Sequence, residues 1–105
     1  MAVLLLHNLS TKDNLIDEKH SAAVRDMALR NKNVIGFITQ EKVFNGYLHF
    51  TPGVRIDATR DDMGQTYRSP EVMKNKGTDV FIVGRGIYQS NDPVKAVLKY
   101  KKLCF

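Results

Sequence analysis

The chain has 105 residues, 43% of them hydrophobic and 26% charged, a balance that fits one globular domain over residues 1–105 with no room for a second. Sixteen Lys and Arg against eleven Asp and Glu give +5, a mild excess that favours an anionic partner without naming one. One cysteine, Cys104, excludes an internal disulfide framework and a cysteine-based zinc site. The apolar run Val3 to Leu6 is far short of the roughly 20 residues a bilayer span needs. A soluble, cytoplasmic protein with no membrane attachment is expected, with Cys104 a bystander thiol.

Val3-Leu4-Leu5-Leu6 is short, continuous and bounded by polar residues, which predicts a strand buried on both faces. Asp17 to Asn31 reads as an amphipathic helix: Asp17 and Glu18 suit its positive end, Arg30 its carbonyl end, and Ala23, Val24, Met27 and Ala28 form one stripe. Val34 to Ile38 and Tyr47 to Phe50 are predicted strands, the second ending at Thr51-Pro52-Gly53. Arg55 to Arg68 shows no sustained period and reads as a long surface loop. Ser69-Pro70-Glu71 opens a short helix, with Ser as the capping oxygen and Pro where the missing N–H does no harm, and Gly77 ends it. Val80 to Val83 reads as the clearest buried strand, broken by Gly84-Arg85-Gly86. Asp92-Pro93 opens a last helix with Val94, Val97 and Leu98 inward and Lys95, Lys99, Lys101 and Lys102 outward. Strands separated by helices predict an α/β fold with a parallel sheet.

Parallel α/β sheets bind ligands beyond the carboxyl ends of their strands, which selects Asn8 to Lys12, Thr51 to Gly53 with the loop behind it, and Gly84 to Gly86. Gly84 and Gly86 would let backbone N–H groups approach an anion while Arg85 offers a planar fork. Equally, the glycines make a tight strand exit and Arg85 pairs with a surface carboxylate. Gln65 and Tyr67, two apart, would point the same way in an extended segment and offer amide and phenol hydrogen bonds. A solvated loop with Tyr67 packed on the last strands is the alternative. Ser10 is a capping or turn hydroxyl on the same terms. His7, His20 and His49 lack metal-ligand spacing, and Asp57, Asp61 and Asp62 lack the pattern of a calcium loop. The lysines of the last helix are spread around an amphipathic helix and read as a solvated face, so nucleic acid is not an expected partner.

Three segments in order, Thr51-Pro52-Gly53-Val54, Met63-Gly64-Gln65-Thr66-Tyr67 with Ser69-Pro70, and Gly77-Thr78-Asp79-Val80-Phe81-Ile82-Val83-Gly84-Arg85-Gly86-Ile87, resemble the closing segments of the orotidine 5′-phosphate decarboxylase family, found in animals as the C-terminal domain of uridine monophosphate synthase. Leu5 to Thr11 looks like that family's fifth strand with its following serine, and Val34 to Ile38 like its sixth. The resemblance implies the C-terminal half of a TIM (β/α)8 barrel, strands five to eight. It implies that Gln65, Tyr67 and Arg85, with the backbone around Gly84, hold the phosphate of a nucleotide, orotidine 5′-phosphate or UMP. Ser10 would bond the pyrimidine and Pro52 line the pocket, the loop bearing Gln65 would act as a lid, and Thr66 stands within that motif where the family has a second glutamine. No metal and no organic cofactor are implied, and the full-length family is expected to be a homodimer.

Departures accompany the resemblance. The family's catalytic lysine and aspartates lie in a Lys-x-Asp segment that nothing here matches, so no catalytic residue is expected among these 105. Asn8 stands where the family has an acidic residue, and Asp13-Asn14 replaces a Gly-Ser pair. Such a half-barrel carries two unpaired sheet edges and an unfilled interior, which predicts a fragment of a longer chain, a truncated product, or a piece that pairs with another half. A noncatalytic UMP-binding module and a small basic interaction domain are the alternatives.

Overall fold

Four short apolar segments line up as one parallel sheet in the computed structural model, which describes residues 1–9, 16–56 and 68–104. β1 (Val3–Leu6), β2 (Val34–Ile38), β3 (Leu48–Thr51) and β4 (Val80–Phe81) lie in the order β1-β2-β3-β4, so each strand pairs with its successor. α1 (Glu18–Arg30) crosses from β1 to β2 and α2 (Pro70–Asn75) precedes β4. α3 (Arg85–Tyr88) and α4 (Pro93–Cys104) follow it. Among the described residues no strand pairs with the outer edge of β1 or of β4.

The helix signals act as their chemistry requires. The Asp17 carboxylate accepts from the His20 N–H at 2.9 Å, Ser69 Oγ accepts from the Val72 N–H with Pro70 behind it, and Asp92 Oδ1 accepts from the Lys95 N–H at 3.1 Å. Gly77, at φ +94°, ends α2 in a left-handed conformation that a side chain would oppose.

The core lies between the sheet and α1. Val24, Ala28, Val34 and Phe37 are buried, with Leu5, Val43, Phe44 and Tyr47 packed against them. Val34 and Phe37 would face opposite ways in a regular strand. Ile35 has no partner on β1, because Val3 pairs with Val34 and Leu4 with Gly36, and this extra residue turns both side chains to the same face. The Phe37 ring is fully buried among His7, Phe44, Tyr47 and His49, with ring centroids 5.4–6.1 Å away. Gly36 lets β2 and β3 approach, since a methyl there would run into the Leu48 carbonyl.

The opposite face of the sheet is open. Leu6, Leu48 and Ile82 alternate onto it, away from Phe37, His49 and Thr51, and remain 39%, 43% and 39% exposed.

Several expectations need correction. β1 is half-buried, not enclosed on both faces, because it is an edge strand. β4 spans only Val80–Phe81 and is half-buried for the same reason, although the Ile82 N–H still donates to the Thr51 carbonyl at 2.8 Å. In α1 the buried stripe is Ser21, Val24 and Ala28, while Ala23 and Met27 are exposed. In α4 the inward residues are Tyr100 and Cys104. Val94, Val97 and Leu98 are 72%, 44% and 61% exposed, because nothing among the described residues covers their side of the helix.

Candidate functional site at the carboxyl ends of the strands

Hydrogen bonds tie the ends of β1, β2 and β3 together. The Asn8 side-chain oxygen accepts from the Gln40 N–H at 2.5 Å and from the Thr39 hydroxyl at 3.1 Å, and Gln40 Nε2 donates to the Pro52 carbonyl at 2.9 Å. Asn8, Thr39, Gln40 and Pro52 thus run across three consecutive strand ends. Beneath them, His7 Nδ1 lies 3.0 Å from Thr39 Oγ1, and Arg25 Nη1 lies 3.2 Å from His7 Nε2. Arg25 can only donate, so Nε2 accepts and the proton sits on Nδ1, which makes His7 a neutral ring. Burial and then the Arg25 charge push its pKa below the ordinary 6.5. His49 is oriented in the same manner. Its Nε2 accepts from the Val43 N–H at 2.9 Å, which leaves Nδ1–H facing Asp79 Oδ2 at 3.3 Å. Both histidines are buried structural groups, and no cluster of three metal-ligating side chains occurs among the described residues.

After β3 the chain turns at Gly53, φ +71°, and leaves through Val54 and Arg55. The Arg55 N–H donates to the Arg68 carbonyl and the Arg68 N–H to the Gly53 carbonyl, both at 2.8 Å. This bridge closes the base of the segment that carries Gln65, Thr66 and Tyr67. Those three residues, and Ser10, lie outside the described residues.

After β4, Gly84 caps α3 and Arg85 begins it. α3 was not expected from the sequence, where Gly84-Arg85-Gly86 reads as a strand exit or an anion site but not as a helix. The two glycines differ. Gly84 has room for a side chain, whereas a methyl on Gly86 would collide with the Tyr100 hydroxyl. That hydroxyl accepts from the Ile56 N–H at 3.0 Å, so α3, α4 and the exit of β3 meet at one point.

Around this point opens a cleft of about 440 Å³. Its walls include Arg55 and Ile56 on the β3 side, Arg85 and Gly86 on α3, and Lys95, Lys99 and Tyr100 on α4, with Asp92 the only carboxylate among the described lining residues. Among the described lining residues four cations face one carboxylate, a balance that favours an anion. Arg85 therefore shares a cavity with the exit of β3, while Pro52, half-buried, stands on the neighbouring Asn8–Gln40 chain and does not line it. Sequence reasoning missed Arg55, Lys95, Lys99 and Tyr100. The spacing Asp92, Lys95, Ala96, Lys99, Tyr100 is a helical stripe, but the more apolar Val94, Val97, Leu98 stripe outweighs it by hydrophobicity.

Comparison with known proteins gives the family of the chain. A family model described as orotidine 5′-phosphate decarboxylase / HUMPS matches residues 1–100. An orotidine 5′-phosphate decarboxylase of Phycomyces blakesleeanus is 43% identical over 103 residues, covering 92% of this chain and 39% of the relative. The uridine 5′-monophosphate synthases of Naegleria gruberi and Bos taurus are 40% and 39% identical, each covering 96% of this chain and 22% of the relative. The chain thus spans between about a fifth and two fifths of the length of these relatives. No helix among the described residues is long and apolar enough to cross a membrane.

Proposed function

The chain belongs to the orotidine 5′-phosphate decarboxylase / HUMPS family, and we propose that it forms the phosphate-holding half of that family's (β/α)8 barrel, strands five to eight, acting in pyrimidine nucleotide synthesis when the barrel is complete. The observation that carries this is the position of Arg85. It follows the last strand of an open parallel sheet and lines a cationic cleft together with the exit of the preceding strand. In (β/α)8 barrels, phosphate is commonly held by the loops after strands seven and eight, and β3 and β4 would be those strands here.

In this assignment Arg85 pairs with the phosphate dianion of orotidine 5′-phosphate or UMP through its planar fork, helped by backbone N–H groups near Gly84. Gln65 and Tyr67 add an amide and a phenol from the segment whose base is closed by the Arg55–Arg68 bridge, with Thr66 between them. Ser10 bonds the pyrimidine, and Pro52, which does not line the Arg85 cleft, stands beside it on the Asn8–Gln40 chain. The reacting carbon is far from the phosphate, so phosphate binding energy serves to hold the site closed and dry around the developing charge. The proton donor belongs to a Lys-x-Asp segment not found in these residues. The exposed Leu6, Leu48 and Ile82, and edges of β1 and β4 that no described strand pairs, support a sheet made to be completed by further strands.

Calorimetric titration with UMP tests this. Wild type should bind, and Arg85→Ala should weaken binding roughly ten-fold or more, the scale of a charged hydrogen bond at about 1.5–3 kcal/mol. Equal affinity for the two proteins overturns the phosphate assignment. Decarboxylation by the 105-residue chain alone would contradict a proton donor supplied from elsewhere.

A further inference from the structure

The cleft is larger than one phosphate needs. Its volume, about 440 Å³, lies in the range of pockets that hold whole small molecules, roughly 300–1,000 Å³. Its cations fall into two groups. Arg55 and Arg85 stand on the strand-exit side, and Lys95 and Lys99, one turn apart, stand on the α4 side. Lys95 and Lys99 are exposed, and among the described residues neither ammonium makes an ion pair or a side-chain hydrogen bond. Asp92, the one carboxylate among the described lining residues, is engaged as the cap of α4. Lys101 and Lys102, on the same helix, do not line the cleft.

We infer that the α4 side of this cleft is a second anion subsite, beside the phosphate site at Arg85, and that it takes the second phosphoryl group of a diphosphate-bearing small molecule. A single phosphate dianion engaged by Arg85 leaves two ammonium groups facing the same cavity. A diphosphate carries more charge and can engage both sides at once. The inference rests on the phosphate reading of Arg85, but its key residues are Lys95 and Lys99.

Inorganic pyrophosphate and orthophosphate are the probes, titrated calorimetrically into the full chain at low salt. Pyrophosphate should bind wild type about ten-fold more tightly than orthophosphate, as charge-assisted contacts on both walls require. Lys95→Gln with Lys99→Gln should remove that advantage, weakening pyrophosphate roughly ten-fold and UMP by clearly less than that. Both side chains are exposed, so circular dichroism should show an unchanged fold. Lys101→Gln with Lys102→Gln, an equal loss of charge outside the cleft, should leave pyrophosphate binding as in wild type.

The inference is overturned if the Lys95/Lys99 double variant keeps the pyrophosphate advantage, if the Lys101/Lys102 variant loses as much, or if wild type shows no advantage. It is also overturned if UMP and pyrophosphate weaken equally in the Lys95/Lys99 variant, since the lysines then belong to the first phosphate's site. Failure of the Arg85 reading looks different: Arg85→Ala leaves UMP binding unchanged while pyrophosphate still depends on Lys95 and Lys99.

Discussion

The two ends of the sheet are built to different standards. Around β1 to β3, Phe37, Thr39, His49 and Thr51 are almost wholly buried, and side-chain hydrogen bonds cross from one strand end to the next. Around β4, the strand is two residues long, α3 buries none of its residues, and α4 buries only Tyr100 and Cys104. The first region carries the fold's stability and the second carries the open cationic surface. Under the proposed function, the exposed apolar and charged groups of the second region are those that a ligand and further strands would cover.

Mutations can break or sharpen that contrast. The largest effect is expected at Phe37→Ala, which empties the centre of the aromatic cluster and should lower stability by about 3–5 kcal/mol in urea denaturation. Val94→Ala, an apolar truncation at the other end, should change it by less than about 0.5 kcal/mol, because Val94 is 72% exposed. Similar losses at both sites would mean that α4 is covered after all. An intermediate effect is expected from Tyr100→Phe, which leaves the Ile56 N–H without its acceptor and should lower the unfolding free energy by about 1 kcal/mol. It should also loosen the cleft, seen as faster hydrogen exchange at Ile56. The smallest effect is the pH response of the first region. His7 has a folded pKa below its unfolded value of 6.5, so the unfolded chain binds more protons in that window. Stability from this group is fully present above about pH 6.5 and is lost as pH falls toward the folded pKa. Urea midpoints at pH 7.5 and 5.5 should differ in wild type and differ less in His7→Gln.

Local chemistry made the strands and the helix ends legible in both regions. The apolar segments at Val3, Val34 and Leu48 form strands, and Asp17, Ser69-Pro70, Gly77 and Asp92-Pro93 start and stop helices, because each signal acts within a few residues. Burial was less legible, because it depends on what lies alongside. Val80 to Val83 and the stripe Val94, Val97, Leu98 are apolar enough for a core, yet each lies at an edge that nothing among the described residues covers. The same limit shaped the site. Gly84-Arg85 could be singled out from its place after a strand, and Arg85 does line a cleft. The Asn8–Thr39–Gln40–Pro52 chain joins residues far apart in sequence that carry no shared spacing. α3 is one turn around a glycine, too short for periodicity to reveal. Ser10, Gln65, Thr66 and Tyr67 stand outside the described residues, so their roles rest on the motif alone.

The central claim is that the end of the sheet after β3 and β4 receives a nucleotide phosphate while the helix-covered core does not take part. The most direct measurement is a backbone amide NMR titration of the 105-residue chain with UMP. The account predicts shifts concentrated at Gly53 to Ile56 and Gly84 to Ile87, absent in Arg85→Ala, with the amides of Val34 to Phe37 unmoved. Shifts centred on Val34 to Phe37 and α1, or a pattern that Arg85→Ala leaves intact, would contradict it.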